Sequence, residues 1–205
     1  MTFRTIKGRD GAGSGFHIGG GRIGTARHNL CDGQGNRHPE IKVLSQGEKW
    51  DVDKVCLDQQ STKPHDVAFA LCLPMKEKPR VPTEIRLPEL GEEVAAAGFP
   101  KIPGMHPELV WHTGAVEALP RSFLNDARGI QVSFQSGGGL SGGCLIDKAG
   151  KWVGVMTGNA FMSAGRDANS NGESESMVEG MPERAYGQAV PTEYADEVLA
   201  DCNFE

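Results

Sequence analysis

The chain has 205 residues, of which 38% are hydrophobic, and a formal net charge of −6 at pH 7. This size and composition are typical of a globular protein with its own core, and the negative charge argues against a nucleic-acid binder, whose affinity needs a basic surface. No stretch reaches the roughly 18 consecutive apolar residues of a membrane span, and the N-terminal residues lack the apolar core of a secretory signal, so we expect a cytoplasmic protein without a membrane partner.

The first half of the chain consists of short apolar runs separated by glycines and prolines, a pattern that predicts β-strands. A Gly-Gly-Gly turn joins two of these runs into a hairpin. The predicted strands cover residues 15–18, 22–26, 41–44, 51–56 and 67–71. Four prolines and several charges between Pro74 and Pro88 predict an extended connector, which divides the chain into units of residues 1–84 and 85–205.

The second half continues as strands and ends in a helix. Its predicted strands cover residues 93–99, 109–116, 130–134, 144–147, 152–155 and 186–190. A polar, acidic loop spans residues 164–185, and a C-terminal helix over 192–200 has Thr192 as its expected cap. The fold class is therefore all-β with one helix.

The five cysteines are odd in number, far apart and without CxxC spacing; they are Cys31, Cys56, Cys72, Cys144 and Cys202. This usage favours reduced, buried thiols over a disulfide framework or a zinc site. We expect no metal and no other cofactor.

The segment Gly137-Gly138-Gly139-Leu140-Ser141-Gly142-Gly143 surrounds one serine with glycines. Glycine permits a tight turn on which backbone N–H groups can point at a developing oxyanion. Ser141 is therefore the candidate nucleophile. Cys144, which follows the turn, is a much weaker one.

A serine nucleophile needs a histidine base and an acceptor that orients it. His28 follows the strand that ends in Thr25-Ala26, and Asp66 opens the apolar run Asp66-Val67-Ala68. His65 is an alternative base, but it points to the opposite face of an extended segment from Asp66.

Together these motifs resemble the trypsin-like, chymotrypsin-fold serine peptidases, with the pattern of compact bacterial and HtrA-like members. The resemblance is carried by Gly13-Ser14-Gly15-Phe16, Thr25-Ala26-Arg27-His28, Asp66-Val67-Ala68 and Gly139-Leu140-Ser141-Gly142-Gly143. The order histidine, aspartate, serine is that of the chymotrypsin branch.

The resemblance implies two packed six-stranded β-barrels with the active site between them, and a protein or peptide as substrate. It implies His28, Asp66 and Ser141 as catalytic residues and the N–H groups of Gly139 and Ser141 as the oxyanion hole. The residues that it implies for the substrate pocket are Gln135, Ser136, Met156, Thr157, Gly158 and Gly187.

Two other motifs suggest binding sites that their context does not favour. Residues 19–24 match the dinucleotide fingerprint GxGxxG, but no helix of a βαβ unit follows. Residues 167–172 match the first half of an EF-hand loop, but its twelfth position is Val178 rather than glutamate. We expect a hairpin turn and a solvated loop.

The sequence departs from the trypsin-like pattern at Leu140, where enzymes activated by cleavage carry an aspartate that pairs with the new N-terminus. Because residues 137–139 are all glycine, ordering this loop is entropically costly. We therefore expect a substrate or a regulatory protein partner to order it. The alternative function is a catalytically inactive protease fold that serves as an interaction module.

Overall fold

The computed structural model describes residues 3–8, 11–45, 47–57, 65–73, 86–100, 108–121, 128–136, 138–162 and 184–202. Within these ranges the chain is built almost entirely of antiparallel strands. The strands are β1 (Phe3–Gly8), β2 (Gly11–Gly19), β3 (Arg22–Thr25), β4 (Lys42–Ser45), β5 (Glu48–Asp51), β6 (Lys54–Leu57), β7 (Ala68–Leu71), β8 (Glu93–Gly98), β9 (Val110–Ala118), β10 (Ile130–Val132), β11 (Cys144–Asp147), β12 (Trp152–Met162) and β13 (Arg184–Pro191). Helix α1 (Thr192–Ala200) follows β13 directly.

The first seven strands form one sheet in the order β5-β4-β1-β2-β3-β7-β6. Among the described residues, β5 and β6 are its two edges and are not bonded to each other. The expected six-stranded barrel in the first half is therefore not confirmed, since this unit has seven strands and is an open sheet in the described ranges. The other six strands form a closed barrel in the order β10-β13-β12-β11-β8-β9, as expected for the second half.

The glycines at residues 19–21 make the turn between β2 and β3. All three have positive φ, at 111°, 59° and 75°, a region that glycine enters without steric cost. Strand β3 pairs with β2 on one side and with β7 on the other. The glycines therefore serve a hairpin, as expected, and the element that follows them is a strand rather than a nucleotide-binding helix.

A shared hydrophobic core joins the sheet, the barrel and α1. Phe16 of β2 packs edge-on against Trp152 of β12, with ring centroids 5.1 Å apart. The buried members of this core are Phe16, Val67, Phe69, Ala97, Cys144, Trp152, Val155, Ala195 and Val198. Because β2 and β12 belong to different units, this core fixes the position of the sheet relative to the barrel.

Two expectations about the ends of the chain are wrong. Cys56 of β6 and Cys202, just beyond α1, form a disulfide, so not all of the cysteines are free thiols as expected. Their separation of 146 residues gave no local signal for the pairing. Thr192 is the first residue of α1 rather than its cap; its hydroxyl donates to the carbonyl oxygen of Arg86 at 3.3 Å.

Several predicted features lie outside the described residues, namely the domain boundary at residues 84 and 85, Gly137, and all but the last two residues of the acidic loop. In the part of the chain that the structure describes, no helix has the length and apolarity needed to cross a membrane.

Candidate active site

His28 and Asp66 meet because the strands beside them are paired. His28 lies in a single 3₁₀ turn, Arg27–Asn29, after β3, and Asp66 precedes β7. Thr25, the last residue of β3, pairs with Ala68, the first residue of β7, so the segments of His28 and Asp66 lie at the same end of these two strands. His28 Nδ1 lies 2.7 Å from Asp66 Oδ2, and the backbone N–H of His28 donates to Asp66 Oδ1 at 3.0 Å. Both carboxylate oxygens therefore hold the histidine in place.

Ser141 lies on a tight turn between β10 and β11 and faces His28. Its Oγ is 2.6 Å from His28 Nε2 and 3.1 Å from the carbonyl oxygen of Thr157. One hydroxyl proton serves one acceptor well, and the shorter contact is with the imidazole. Asp66, His28 and Ser141 thus form a continuous chain of hydrogen bonds across the two units.

The contacts of His28 determine which ring nitrogen can accept a proton. An ionised carboxylate only accepts hydrogen bonds, so the neutral imidazole carries its proton on Nδ1 and presents a lone pair at Nε2 toward Ser141. The hydrogen bond from Asp66 raises the pKa of His28, burial opposes that rise, and the charge of Asp66 adds to it. The result is a more basic histidine beside a hydroxyl.

Gly142 brings the turn against the first sheet. Its φ is +85°, and a Cβ at this position would lie 2.1 Å from the carbonyl oxygen of Ser14 and 2.3 Å from Thr25 Oγ1. Residue 142 must therefore be glycine for both conformational and steric reasons. Its N–H donates to the carbonyl oxygen of Met156 at 2.7 Å, which ties the turn to β12 as well.

The backbone around Ser141 sets the direction of its own N–H group. The carbonyl oxygen of Leu140 accepts a hydrogen bond from the N–H of Gly143 at 2.8 Å. The Leu140 carbonyl and the Ser141 N–H belong to the same peptide, which is trans, so the two groups point in opposite directions. The Ser141 N–H is therefore directed away from Gly143. Gly139, the other expected oxyanion donor, has a φ of +95°.

Polar residues on the side of the first sheet hold this turn, and no sequence pattern predicted them. Ser14 Oγ donates to the carbonyl oxygen of Gly139 at 2.6 Å. Asn29 Nδ2 donates to the carbonyl oxygen of Ser141 at 2.9 Å and to Thr25 Oγ1 at 3.1 Å. Ser14 lies in a motif that carries the family resemblance, but nothing in the sequence indicated which backbone group it would bind.

The residues expected to form the substrate pocket lie in different environments. Gln135 is exposed and Ser136 is buried, whereas Met156 is fully buried and belongs to the hydrophobic core of the barrel. The N–H of Gly187 donates to the carbonyl oxygen of Phe134 at 2.7 Å, and a Cβ on Gly187 would lie 2.8 Å from that oxygen. The structure brings Gly187 together with Met156 and the segment before Gln135.

Thr157 and Gly158 occupy a bulge of β12. The register with β13 shifts between Met156 and Gly158, and Gly158 pairs with Gln188. The hydroxyl of Thr157 donates to the carbonyl oxygen of Gln188 at 3.4 Å, while its own carbonyl oxygen faces Ser141. The roles of all the pocket residues in substrate binding stay predictions.

The alternative nucleophile, the alternative base and the residue that stands in place of the activation aspartate each have other surroundings in the fold. Cys144 is fully buried, and burial raises the pKa of its thiol well above the usual range, which suppresses the reactive thiolate. The ring of His65 stacks on Tyr194 of α1, with centroids 3.9 Å apart. Leu140 is fully buried in the core of the barrel.

Comparisons with known structures find the same fold. An inactive form of Rv3671c from M. tuberculosis H37Rv, with a serine-to-alanine mutation, superimposes with a TM-score of 0.68 at 17% identity over 98% of this chain and 85% of its own. The active form of the Rv3671c protease from M. tuberculosis gives a TM-score of 0.68 at 17% identity, over 97% of this chain and 79% of its own. The serine endoprotease from Yersinia pestis gives a TM-score of 0.66 at 22% identity, and this chain covers 62% of the length of that protein.

At the level of sequence, no curated protein matches the chain. Residues 13–155, well over half of it, match the trypsin-like peptidase domain. The matched range begins just before Ser14 and includes the segments of His28, Asp66 and Ser141. The chain therefore belongs to the family of trypsin-like peptidase domains, which are serine endopeptidases.

Proposed function

We propose that the chain hydrolyses peptide bonds of protein substrates, with Ser141 as nucleophile, His28 as general base and acid, and Asp66 as the group that orients His28. The observation that carries this proposal is the hydrogen-bond chain from Asp66 through His28 to Ser141, with contacts of 2.7 Å and 2.6 Å. A serine hydroxyl is a weak nucleophile until a base accepts its proton, and His28 Nε2 lies where that base is needed.

In the proposed reaction, Ser141 Oγ attacks the scissile carbonyl carbon while its proton passes to His28 Nε2. The tetrahedral intermediate then collapses, His28 gives the proton to the leaving amine, and an acyl-enzyme remains on Ser141. Water, deprotonated by His28, hydrolyses the ester and restores the hydroxyl. Asp66 stabilises the imidazolium that forms in each half of the reaction.

The oxyanion would be bound by the N–H groups of Gly139 and Ser141. In support of this role, the peptide that contains the Ser141 N–H is fixed by the bond between Leu140 and Gly143. Donors that are already oriented lose no reorganisation energy when negative charge develops. The primary pocket would lie near Gly187 and Gln135, and the neutral Gln135 favours a substrate side chain without positive charge.

Two further proposals concern regulation and location. A partner protein would control the activity, because Leu140 stands where enzymes activated by cleavage carry an aspartate. The sequence favours a cytoplasmic location, whereas the disulfide between Cys56 and Cys202 is typical of an oxidising compartment. Thiol blocking in intact cells before lysis would show whether that pair is oxidised where the protein acts.

A fluorophosphonate probe and a casein cleavage assay test the proposed activity together. We expect the probe to label the protein covalently, Ser141→Ala to abolish labelling and lower turnover by about 10⁴–10⁶-fold, and His28→Ala to reduce both sharply. The matched control is Ser45→Ala, which removes the hydroxyl of another buried serine, on β4, and should leave both readouts unchanged.

The alternative, an inactive interaction module, predicts a different outcome. A wild-type protein that is folded by circular dichroism but neither reacts with the probe nor cleaves casein would overturn the proposed function. Equal rates for wild type and Ser141→Ala would do the same, since any cleavage would then come from a contaminating protease.

A further inference from the structure

The hydroxyl of Ser14 links β2 to Phe99 and to the turn of residues 138–143 that carries Ser141, which we call the nucleophile turn. Ser14 is fully buried in β2. Its Oγ donates to the carbonyl oxygen of Gly139 at 2.6 Å and accepts a hydrogen bond from the N–H of Phe99 at 2.7 Å. The donor and an acceptor site of the hydroxyl are both used, so its orientation is fixed.

Ser14 is itself held rigidly in relation to Ser141. Its backbone N–H donates to the carbonyl oxygen of Ser141 at 2.7 Å, and its own carbonyl oxygen accepts from Thr25 Oγ1 at 2.7 Å. Asn29 adds a second donor to the Ser141 carbonyl at 2.9 Å. One residue of the first sheet thus contacts both residues of the barrel that would supply the oxyanion donors.

The two expected donors differ in how they are fixed. The Ser141 N–H is oriented within the barrel, through the contact between Leu140 and Gly143. Gly139 has no side chain with which to anchor itself, and a Cβ on its neighbour Gly138 would meet nothing within 4 Å. Glycine has more backbone freedom than any other residue, so both peptides that flank Gly139 can turn unless they are held. The bond from Ser14 to the Gly139 carbonyl holds the one that leads to Leu140.

We infer that Ser14 is a positioning residue for catalysis: its hydroxyl fixes the peptide that joins Gly139 to Leu140. This anchors Gly139 from its carbonyl side and restrains the residue whose N–H, in the preceding peptide, would bind the oxyanion. The inference rests on the proposed function. It assigns to a buried hydroxyl of the first sheet the ordering of a loop that lacks the aspartate at position 140.

The site has little tolerance for replacement. A Cβ on Gly98 would lie 2.5 Å from Ser14 Oγ, so the hydroxyl fills its space closely. Ser14→Ala fits this space but leaves the Gly139 carbonyl and the Phe99 N–H without their partner. Because the bonds of His28 to Asp66 and Ser141 do not involve Ser14, the base and the nucleophile should stay intact.

The test compares wild type, Ser14→Ala and Ser45→Ala on a peptide substrate and with a peptide aldehyde, whose hemiacetal oxygen occupies the oxyanion position. Loss of one oxyanion donor costs about 10²–10³ in kcat, so we expect Ser14→Ala to lower kcat by about 10–10²-fold with KM within about twofold of wild type. Affinity for the aldehyde should fall by a similar factor, and the acidic limb of the pH profile should not move. Ser45→Ala should match wild type in every measurement.

Two outcomes separate failure of this inference from failure of the proposed function. If wild type cleaves the peptide and Ser14→Ala retains wild-type kcat and aldehyde affinity, Ser14 has no positioning role. If wild type and Ser141→Ala are equally inactive, the proposed function itself is wrong. Should Ser14→Ala fail to fold, Ser14→Gly removes the same hydroxyl without adding bulk to this closely filled space, and unchanged kcat in that variant also overturns the inference.

Discussion

The contacts of Asp66 make His28 more basic than a free histidine. Only the neutral imidazole can accept the proton of Ser141, so kcat/KM should fall as the pH drops through the pKa of His28. Because Asp66 raises that pKa, the fall begins at a higher pH than it would without the carboxylate. The same carboxylate keeps the histidine in the tautomer that can act as a base.

Replacing Asp66 by asparagine separates these two effects. Asp66→Asn should lower kcat/KM by about 10⁴-fold, because an amide can stabilise the wrong tautomer of His28. The acidic limb of the pH profile should move to lower pH, because the group that raises the pKa is gone. The measurement is kcat/KM of peptide cleavage between about pH 5 and pH 9, which brackets the ordinary pKa of histidine.

The control is Asp196→Asn, an exposed carboxylate on α1, which should leave the profile as it is. An acidic limb that stays in place in Asp66→Asn would show that Asp66 does not set the basicity of His28.

Among single residues, the sequence predicted those that lie in a local motif and missed those whose contacts are distant in the chain. His28, Asp66 and Ser141 each lie in a short motif, and the structure brings them within hydrogen-bonding distance. The partners of Ser14 and Asn29 are 125 and 112 residues away, and no local pattern specifies contacts of that range. The roles of Gln135 and the other pocket residues also depend on a substrate, which the sequence does not describe.

At the scale of elements, the nucleophile turn is anchored on two sides by different forces. Polar contacts from the first sheet hold its carbonyl groups, while the side chain of Leu140 is buried in the core of the barrel. Leu140 is thus not simply a missing aspartate. It is an apolar anchor for a turn whose other residues cannot supply one.

Shortening this anchor should destabilise the protein. Leu140→Ala should lower the free energy of unfolding by about 2–5 kcal/mol, because it removes buried contacts and leaves a cavity. The measurement is the midpoint of urea unfolding. Leu90→Ala, which shortens a leucine that is 65% exposed, serves as the control and should change stability by less than about 0.5 kcal/mol. An equal effect of the two changes would mean that Leu140 contributes no anchor.

The elements themselves were predicted well where the apolar pattern is regular. The expected strand at residues 51–56 is instead the end of β5 and most of β6. Between them Val52 is buried in the core, and Asp53 accepts a hydrogen bond from the Leu73 N–H, just beyond β7. Strand β1 was missed, since Arg4 and Lys7 interrupt its apolar residues. Its pairing with both β2 and β4 is a tertiary feature that overrides this weak pattern.

At the scale of the whole molecule, covalent and stacking contacts tie the C-terminal helix to the first sheet. The disulfide links β6 to the end of α1, and His65, next to Asp66, stacks on Tyr194. Helix α1, which follows the last strand of the barrel, is therefore attached to the first sheet at two points. The odd cysteine count and wide spacing concealed this pairing.

Removing the disulfide should destabilise the folded chain. Cys56→Ser with Cys202→Ser should lower the free energy of unfolding by about 2–4 kcal/mol, because a long loop is no longer closed in the unfolded state. Urea unfolding with and without reductant measures this, and the double variant should not respond to reductant. Thiol titration of the unfolded, unreduced wild type should find three free thiols, Cys31, Cys72 and Cys144; five would contradict the pairing.

The disulfide also changes what a cut in the chain does. Every peptide bond between Cys56 and Cys202 lies inside one covalent ring, which includes the whole nucleophile turn and the segment of Asp66. A peptidase that nicks itself once within this ring loses no part of its mass, and His28 and Ser141 remain on one connected molecule. On a gel run without reductant such a nicked chain still migrates as one molecule, and its two fragments separate only after the bond between the two sulfurs is reduced.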